Sequence, residues 1–118
     1  MDMMINNVRV LTNRPECPLI EEGFVGIRDG QFTLVSLVQP RIMARTFVDG
    51  AGKTLVPAAL LGPVQALLQG ETDTIWPEAP ADAVLLEGAV DYEGLEEIRL
   101  SQIRMILRQG TVLWQKVM

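Results

Sequence analysis

The chain of 118 residues contains no histidine. Histidine is the side chain that titrates near neutral pH, and it is the commonest metal ligand in proteins. Its absence excludes serine–histidine triads, cysteine–histidine pairs and the histidine-rich metal sites of most hydrolases. Any catalysis would have to depend on carboxylates, lysine or tyrosine alone.

Cysteine and basic clusters are also scarce. The single cysteine, Cys17, cannot form an internal disulfide, and its proline-rich surroundings without a histidine partner predict an inert thiol. The formal net charge is −5, and no run of Lys or Arg is present that could neutralise the phosphates of a nucleic acid. We therefore expect no disulfide and no nucleic-acid partner.

Long hydrophobic runs are missing as well. The longest apolar stretch, 55–68, is interrupted by Pro57, Pro63 and Gln65, and it is shorter than the roughly 20 residues that span a bilayer. No basic segment leads into an apolar one at the amino terminus, so no signal peptide is evident. The sequence therefore predicts a cytoplasmic protein with no membrane partner.

What the chain does contain is a β-like pattern of apolar runs and turns. Strands are predicted at 5–12, 24–28, 31–38, 45–49, 53–56, 83–86, 103–108 and 111–114. Asp29-Gly30 predicts a tight hairpin turn, because both turn residues must reach a positive φ. The segment 96–108 also fits a helical face, but alternation near its end favours a second hairpin that turns at Gly110.

The predicted fold class is mainly β. With 48% hydrophobic residues the chain can build an ordinary core, and six to eight short strands suggest a small β-sandwich or β-roll. One short helix is predicted near residues 63–69. Pro63 suits its first turn and Gly70 its end.

Gly52-Lys53-Thr54 matches the last residues of a phosphate-binding loop. The first glycine of such a loop would fall at Phe47, which lacks the backbone freedom of glycine and would occupy phosphate space. A helix must also follow the threonine so that its N-terminus faces the anion, but 55–57 is strand-like. The sequence therefore favours a glycine-rich turn between two strands, with Lys53 facing solvent.

Several motifs occur in order along the chain. The first half contains the strand Ile-Asn-Asn-Val-Arg-Val-Leu-Thr at 5–12, the hairpin motif at 27–32 and Asp-Gly-Ala-Gly-Lys-Thr-Leu-Val-Pro at 49–57. In the second half Ala-Asp at 81–82 opens an apolar strand, and a hairpin motif covers 103–113. This order resembles the amidohydrolase-type metal-dependent hydrolases, the relatives of dihydroorotase, dihydropyrimidinase, imidazolonepropionase and urease. In that family both ends of the chain build a small β-sandwich beside a metal-carrying (β/α)8 barrel.

The resemblance implies a composite domain whose barrel is missing. Only 23 residues separate Pro57 from Ala81, whereas a (β/α)8 barrel needs about 250. In the family an Asp-x-His-x-His strand with two metal ligands follows, and the corresponding positions here are Leu61, Pro63 and Gln65. The family's metal site therefore cannot form. We predict no catalytic residue, no metal ligand and no cofactor.

The resemblance also sets the expected organisation and function. We expect one domain, 1–118, in which 1–57 is the N-terminal half of the sandwich, 58–80 is a short connection that replaces the barrel, and 81–118 is the C-terminal half. The isolated chain is predicted not to be an enzyme, and to act as a homodimer or docked to a separate hydrolase barrel chain. The alternatives are an accessory part of a hydrolase of non-peptide carbon–nitrogen bonds and a nucleotide-binding module.

Acidic pairs and tryptophans complete the candidate features. The acids at 21–22, 91–93 and 96–97 lack the regular spacing of a calcium loop, so we predict solvated turns. Trp114 lies in a predicted strand and is predicted to pack in the core. Trp76, before Pro77 in a loop, is the better interface candidate.

Overall fold

The computed structural model of the chain describes residues 1–62 and 73–116. Within these residues the strands are β1 (Met3–Leu11), β2 (Leu19–Arg28), β3 (Gln31–Ser36), β4 (Thr46–Asp49), β5 (Lys53–Pro57), β6 (Ala83–Glu87), β7 (Ile103–Arg108) and β8 (Thr111–Gln115). Short 3-10 helices cover Ala58–Leu60, Tyr92–Glu97 and Leu100–Gln102. The helix predicted near 63–69 lies outside the described residues.

The described strands form one sheet in the order β3-β2-β1-β5-β6-β7-β8, with β4 also paired to β1. Neighbours are antiparallel, except that β4 and β5 both run parallel to β1. The ladder between β5 and β6, from the pair Lys53–Glu87 to the pair Pro57–Ala83, joins the first and second halves of the sequence directly. The prediction of a mainly β fold with six to eight strands is confirmed.

Both predicted hairpins are present, and their turns meet in space. Asp29 and Gly30 have φ values of 52° and 79°, and the second turn at Gln109-Gly110 has 47° and 78°. Positive φ at both positions gives the turn the twist of the flanking strands. The Ala81 amide donates to the Gly30 carbonyl at 2.8 Å, and the Gly110 amide donates to the Ala81 carbonyl at 3.1 Å. Ala81, the first residue after the connection 58–80, thus forms backbone hydrogen bonds to both hairpin turns.

The larger apolar cluster lies on one side of the sheet. It receives side chains from β3, at one end of the strand order, and from β7, next to the other end, so the sheet must curve around it. Its buried members are Met3, Ile5, Val8, Val10, Ile20, Val25, Ile27, Phe32, Leu55, Ile75, Ala81, Ala83, Leu85, Met105 and Leu107. This curvature accounts for the sandwich-like shape predicted from the sequence.

A second apolar cluster covers the opposite face of the central strands. Its buried members are Leu11, Val56, Ala58, Leu61, Val84, Leu86, Val90 and Ile103. Residues of the first and second 3-10 helices pack on this face. Because β5 and β6 are buried on both faces, the stretches 55–57 and 83–86 within them are continuously apolar instead of alternating.

Two sequence-based predictions were wrong. Glu21 and Glu22 were expected in a turn but lie within β2, which begins at Leu19; both are exposed as expected. Trp114 was expected in the core but is 45% exposed. Among the described residues, neither apolar cluster extends over β8, the last strand in the sheet order, so the side chains on its faces are exposed.

Candidate functional site

The glycine-rich turn connects two strands that lie along the same edge of β1. Asn6 of β1 pairs with Asp49 of β4, and Arg9 pairs with Thr54 of β5. The three residue steps from Asn6 to Arg9 on β1 therefore lie beside the five steps from Asp49 to Thr54. The turn at 50–52 accommodates the two extra residues, so it serves the pairing of the sheet.

Each glycine of this turn has its own steric reason. A Cβ atom on Gly50 would lie 2.5 Å from Val8 Cβ and 2.8 Å from the Asn6 carbonyl oxygen, because the turn presses against β1. Gly52 has a φ of 73°, which side chains rarely adopt. The Gly-x-Gly pattern is explained by local backbone geometry without a ligand.

Three backbone donors at the turn are already used inside the protein. The Gly50 amide donates to the Asn6 carbonyl at 2.7 Å, and the Lys53 amide donates to the Gly50 carbonyl at 2.9 Å. The Ala51 amide donates to Asp49 Oδ1 at 2.9 Å. A phosphate-binding loop needs such amides pointing at the anion, so this arrangement argues against a phosphate site.

The side chains of the Lys-Thr pair are also engaged. The Thr54 hydroxyl is fully buried; it donates to the Gly88 carbonyl at 2.7 Å and accepts from the Val90 amide at 3.0 Å. It is therefore not free to bind a magnesium ion. Lys53 Nζ lies 3.3 Å from the Ala51 carbonyl on the exposed side of the turn, as predicted.

The chain changes direction immediately after β5. Ala58–Leu60 form a 3-10 helix, and the Leu61 amide donates to the Ala58 carbonyl at 3.0 Å. Leu61, at the position that the sequence resemblance aligns with an aspartate, is buried in the second apolar cluster. Pro63 and Gln65, at the two histidine positions, lie outside the described residues. Ala58 and Leu61 thus cover part of one face of the sheet.

The described acidic residues do not form a metal-binding group. Within 1–62 and 73–116 no group of three or more His, Cys, Asp or Glu could hold a metal ion. Asp91 pairs with Arg9, and the second 3-10 helix leaves Glu93, Glu96 and Glu97 exposed or nearly so. These contacts describe a solvated surface.

Asp82 has a structural role that the sequence-based reasoning did not identify. It is buried, and its Oδ1 accepts a hydrogen bond from the Gln109 amide at 2.8 Å. The carboxylate therefore holds the second hairpin turn, next to the contacts of Ala81. In the sequence, the Ala-Asp motif before an apolar strand drew attention to Asp82. The motif did not indicate that Asp82 bonds to Gln109.

Exposed large hydrophobic side chains are concentrated in two segments. Among the described residues, those in 37–47 are Leu37, Val38, Ile42, Met43 and Phe47, and those in β8 are Val112, Leu113 and Trp114. Phe47 lines one groove with Ile42 and Met43 and a second groove with Val112, so the segments adjoin. Trp76, the predicted interface candidate, is half-buried, with the Arg14 guanidinium 5.2 Å from its ring centre.

No protein-family model and no curated protein sequence matches the chain. Among solved structures it is similar to atrazine chlorohydrolase TrzN from Arthrobacter aurescens TC1, with 19% identity over 48% of this chain and 13% of that chain and a TM-score of 0.44. A D-hydantoinase structure matches 48% of this chain and 11% of its own, with 28% identity and a TM-score of 0.40. A triazine hydrolase variant matches 58% of this chain and 21% of its own, with 16% identity and a TM-score of 0.43.

The chain thus spans between 11% and 21% of the length of these enzymes. Triazine hydrolase and D-hydantoinase are amidohydrolase superfamily members, which is the class that the sequence motifs resemble. The overlap is partial, so it indicates neither the substrate nor the activity of this chain. In the described part of the chain, no helix has both the length and the apolar character to span a membrane.

Proposed function

We propose that this chain is a non-catalytic composite domain of amidohydrolase type that acts through association, either as a homodimer or docked to a separate hydrolase barrel chain. The observation that carries the proposal is the course of the chain after Pro57. Instead of leaving the sheet toward a barrel, it forms a 3-10 helix and buries Leu61 against β5 and β6. A leucine in that cluster offers no ligand atom to a metal.

The direct contact between the two halves supports the same proposal. β5 and β6 pair over five residue positions, and the amide of Ile75 donates to the carbonyl of Thr12 at 3.0 Å. Ile75 itself is buried in the larger cluster. The connection 58–80 is thereby anchored at both of its ends on a sheet built from 1–57 and 81–116.

The exposed apolar side chains of 37–47 and β8 favour association. Exposed hydrophobic residues scattered singly are normal, whereas contiguous apolar patches mark interaction sites. Phe47 connects the two segments through the grooves that it lines. A role as an accessory part of a carbon–nitrogen hydrolase stays an alternative, because docking to a barrel chain would use the same kind of surface.

The test is the metal content and activity of the purified chain. We expect no stoichiometric zinc by mass spectrometry after metal supplementation, because the chain has no imidazole. We also expect no hydrolysis of hydantoin or atrazine, the compounds in the names of the similar enzymes. A D-hydantoinase assayed in parallel is the positive control. One zinc per chain together with turnover of either compound would overturn the non-catalytic proposal.

A further inference from the structure

One groove on the surface combines an apolar lining with an arginine. It has a volume of about 540 Å³ and lies beside β1 and β4, next to the loop 37–45 that leads into β4. Its apolar lining includes Met4, Ile42, Met43 and Phe47. Among the described residues that line it, Arg41 alone is charged. We call it the Arg41 groove.

Alternation along β1 directs two side chains to this groove. Met3 and Ile5 belong to the larger apolar cluster. Met4 and Asn6 therefore lie on the opposite face of the strand, where they line the groove. Phe47 of β4 pairs with Met4, so its side chain lies on the same face. Met4 is 1% exposed and forms the floor, whereas Phe47 is 56% exposed and forms part of the rim.

Hydrogen bonds hold both ends of the loop that forms one wall of the groove. At its start the Ser36 hydroxyl donates to the Val38 carbonyl at 2.8 Å and accepts from the Val38 amide at 3.0 Å. At its end the Arg45 amide donates to the Met1 carbonyl at 3.1 Å. A site whose walls are held in place before binding loses less conformational entropy when a ligand enters.

The charge around the groove is opposite to that of the whole chain. The segment 30–48 contains no Asp or Glu and carries Arg41 and Arg45, whereas the chain has a formal net charge of −5. Asp49 follows the segment, but its Oδ1 accepts a hydrogen bond from the Ala51 amide at 2.9 Å. Arg41 takes part in none of the ion pairs found among the described residues. Its guanidinium is therefore available to an anion from outside the chain.

These features indicate the chemistry of a ligand. Small-molecule sites are typically clefts of about 300–1,000 Å³ with an apolar lining and a few polar groups. One arginine balances one negative charge, which a carboxylate carries and a phosphate monoester exceeds at neutral pH. A guanidinium also forms two parallel hydrogen bonds to a carboxylate. The methionine and phenylalanine side chains make favourable contacts with an aromatic ring.

We infer that the Arg41 groove binds a small organic carboxylate with an apolar body. The carboxylate pairs with Arg41, and the body lies over Met4, between Met43 and Phe47. The inference goes beyond the proposed function, because it assigns a small-molecule site and not a protein contact. No residue of β8 lines the groove, so a bound ligand leaves that surface exposed.

Titration of the full chain with 4-phenylbutyrate, followed by amide NMR spectra, tests the inference. Because the groove is open and the probe is small, we expect saturable binding with a dissociation constant of about 0.1–1 mM. The uncharged analogue 4-phenylbutanamide has the same shape, and it should bind at least ~10-fold more weakly because it forms no ion pair. Equal affinities of the two compounds, or no saturable binding of the carboxylate, would overturn the inference.

The same spectra locate the bound probe. We expect the largest shift changes at the amides of Met4, Asn6 and residues 41–43, which surround the groove. The amides of the third 3-10 helix, Leu100–Gln102, lie outside it and should not change. Binding accompanied by its largest changes elsewhere would assign the probe to another surface and overturn the role of this groove.

Arg41→Gln tests the charged end of the site, with Arg108→Gln as its matched control. Both arginines are exposed, but Arg108 lies at the end of β7 and does not line the groove. We expect Arg41→Gln to raise the dissociation constant of the carboxylate at least ~5-fold and that of the amide by less than ~2-fold. Arg108→Gln should change neither. An unchanged affinity of Arg41→Gln for the carboxylate would contradict the ion pair.

Met43→Gln tests the apolar part of the site, with Leu100→Gln as its control. The two side chains are 85% and 79% exposed, so neither substitution removes a core residue. We expect Met43→Gln to weaken both the carboxylate and the amide by about 3-fold, because both lose the same apolar contact. Leu100→Gln should weaken neither, and a Met43→Gln variant with unchanged affinities would overturn the proposed position of the body. The zinc and hydrolysis measurements test the non-catalytic proposal separately.

Discussion

At the scale of single residues, Gly50 shows how closely the turn is packed. Its Cα lies so near β1 that an added Cβ would overlap Val8 and the carbonyl of Asn6. Backbone atoms of a central strand cannot move aside as the end of a flexible side chain can. The glycine is therefore required by the contact between the turn and β1, independently of any ligand.

This contact predicts the effect of Gly50→Ala. Overpacking of this kind typically costs about 1–3 kcal/mol of unfolding free energy. We expect a loss in that range, measured by urea unfolding followed by circular dichroism. Gly94→Ala is the control, because its Cβ would meet only Val90 Cγ1 at an ordinary 3.8 Å. Equal stability of the two variants would contradict the proposed packing of the turn.

At the scale of elements, the two hairpins and the start of β6 form one connected unit. Ala81 bonds to both hairpin turns, and Asp82 accepts from the Gln109 amide. Gly110 could not carry a side chain here, since its Cβ would lie 2.9 Å from Ile27 Cγ2. The Ala-Asp motif thus contributes to the fold by holding the ends of two hairpins that are distant in sequence.

Asp82→Ala tests this unit. The substitution removes the acceptor of the part-buried hydrogen bond from the Gln109 amide, and a typical intramolecular hydrogen bond contributes about 0.5–1.5 kcal/mol. We expect a loss of unfolding free energy in that range by urea unfolding. Asp82→Asn keeps an oxygen at the acceptor position, so its loss should be clearly smaller. If alanine and asparagine are equally tolerated, the hydrogen bond does not stabilise the fold.

At the scale of the whole molecule, the two halves of the sequence share a sheet and a core. β5 from the first half and β6 from the second are neighbours, and the larger cluster draws members from both halves. Neither half can therefore bury its apolar residues without the other.

The shared core predicts cooperative unfolding. Tryptophan fluorescence reports on Trp76 in the connection and Trp114 in β8, whereas far-ultraviolet circular dichroism reports on the whole sheet. A small single domain usually unfolds in one transition that different probes detect together. We expect coincident urea midpoints for the two signals. Separate midpoints would indicate that the connection or β8 unfolds independently of the core.

Much of the fold could be predicted from the sequence because its signals are local. Asp29-Gly30 and Gly110 require backbone angles that few other residues adopt, so they identified both hairpins. The continuous apolar run at 83–86 identified a strand that is buried on both faces. Hydrophobic periodicity also indicated the other strands, although β2 begins earlier than its apolar residues suggested, since Glu21 and Glu22 are on its exposed part.

By itself the sequence determined which residues turn, which form strands and that no imidazole is present, because these properties belong to residues and their immediate neighbours. The tertiary structure alone decided that Gly50 faces β1, that Thr54 is buried among backbone partners, and that β8 lies at the edge with Trp114 exposed. These outcomes depend on the order of strands in the sheet. Strand order is set by contacts between segments far apart in the chain, and local patterns do not contain it.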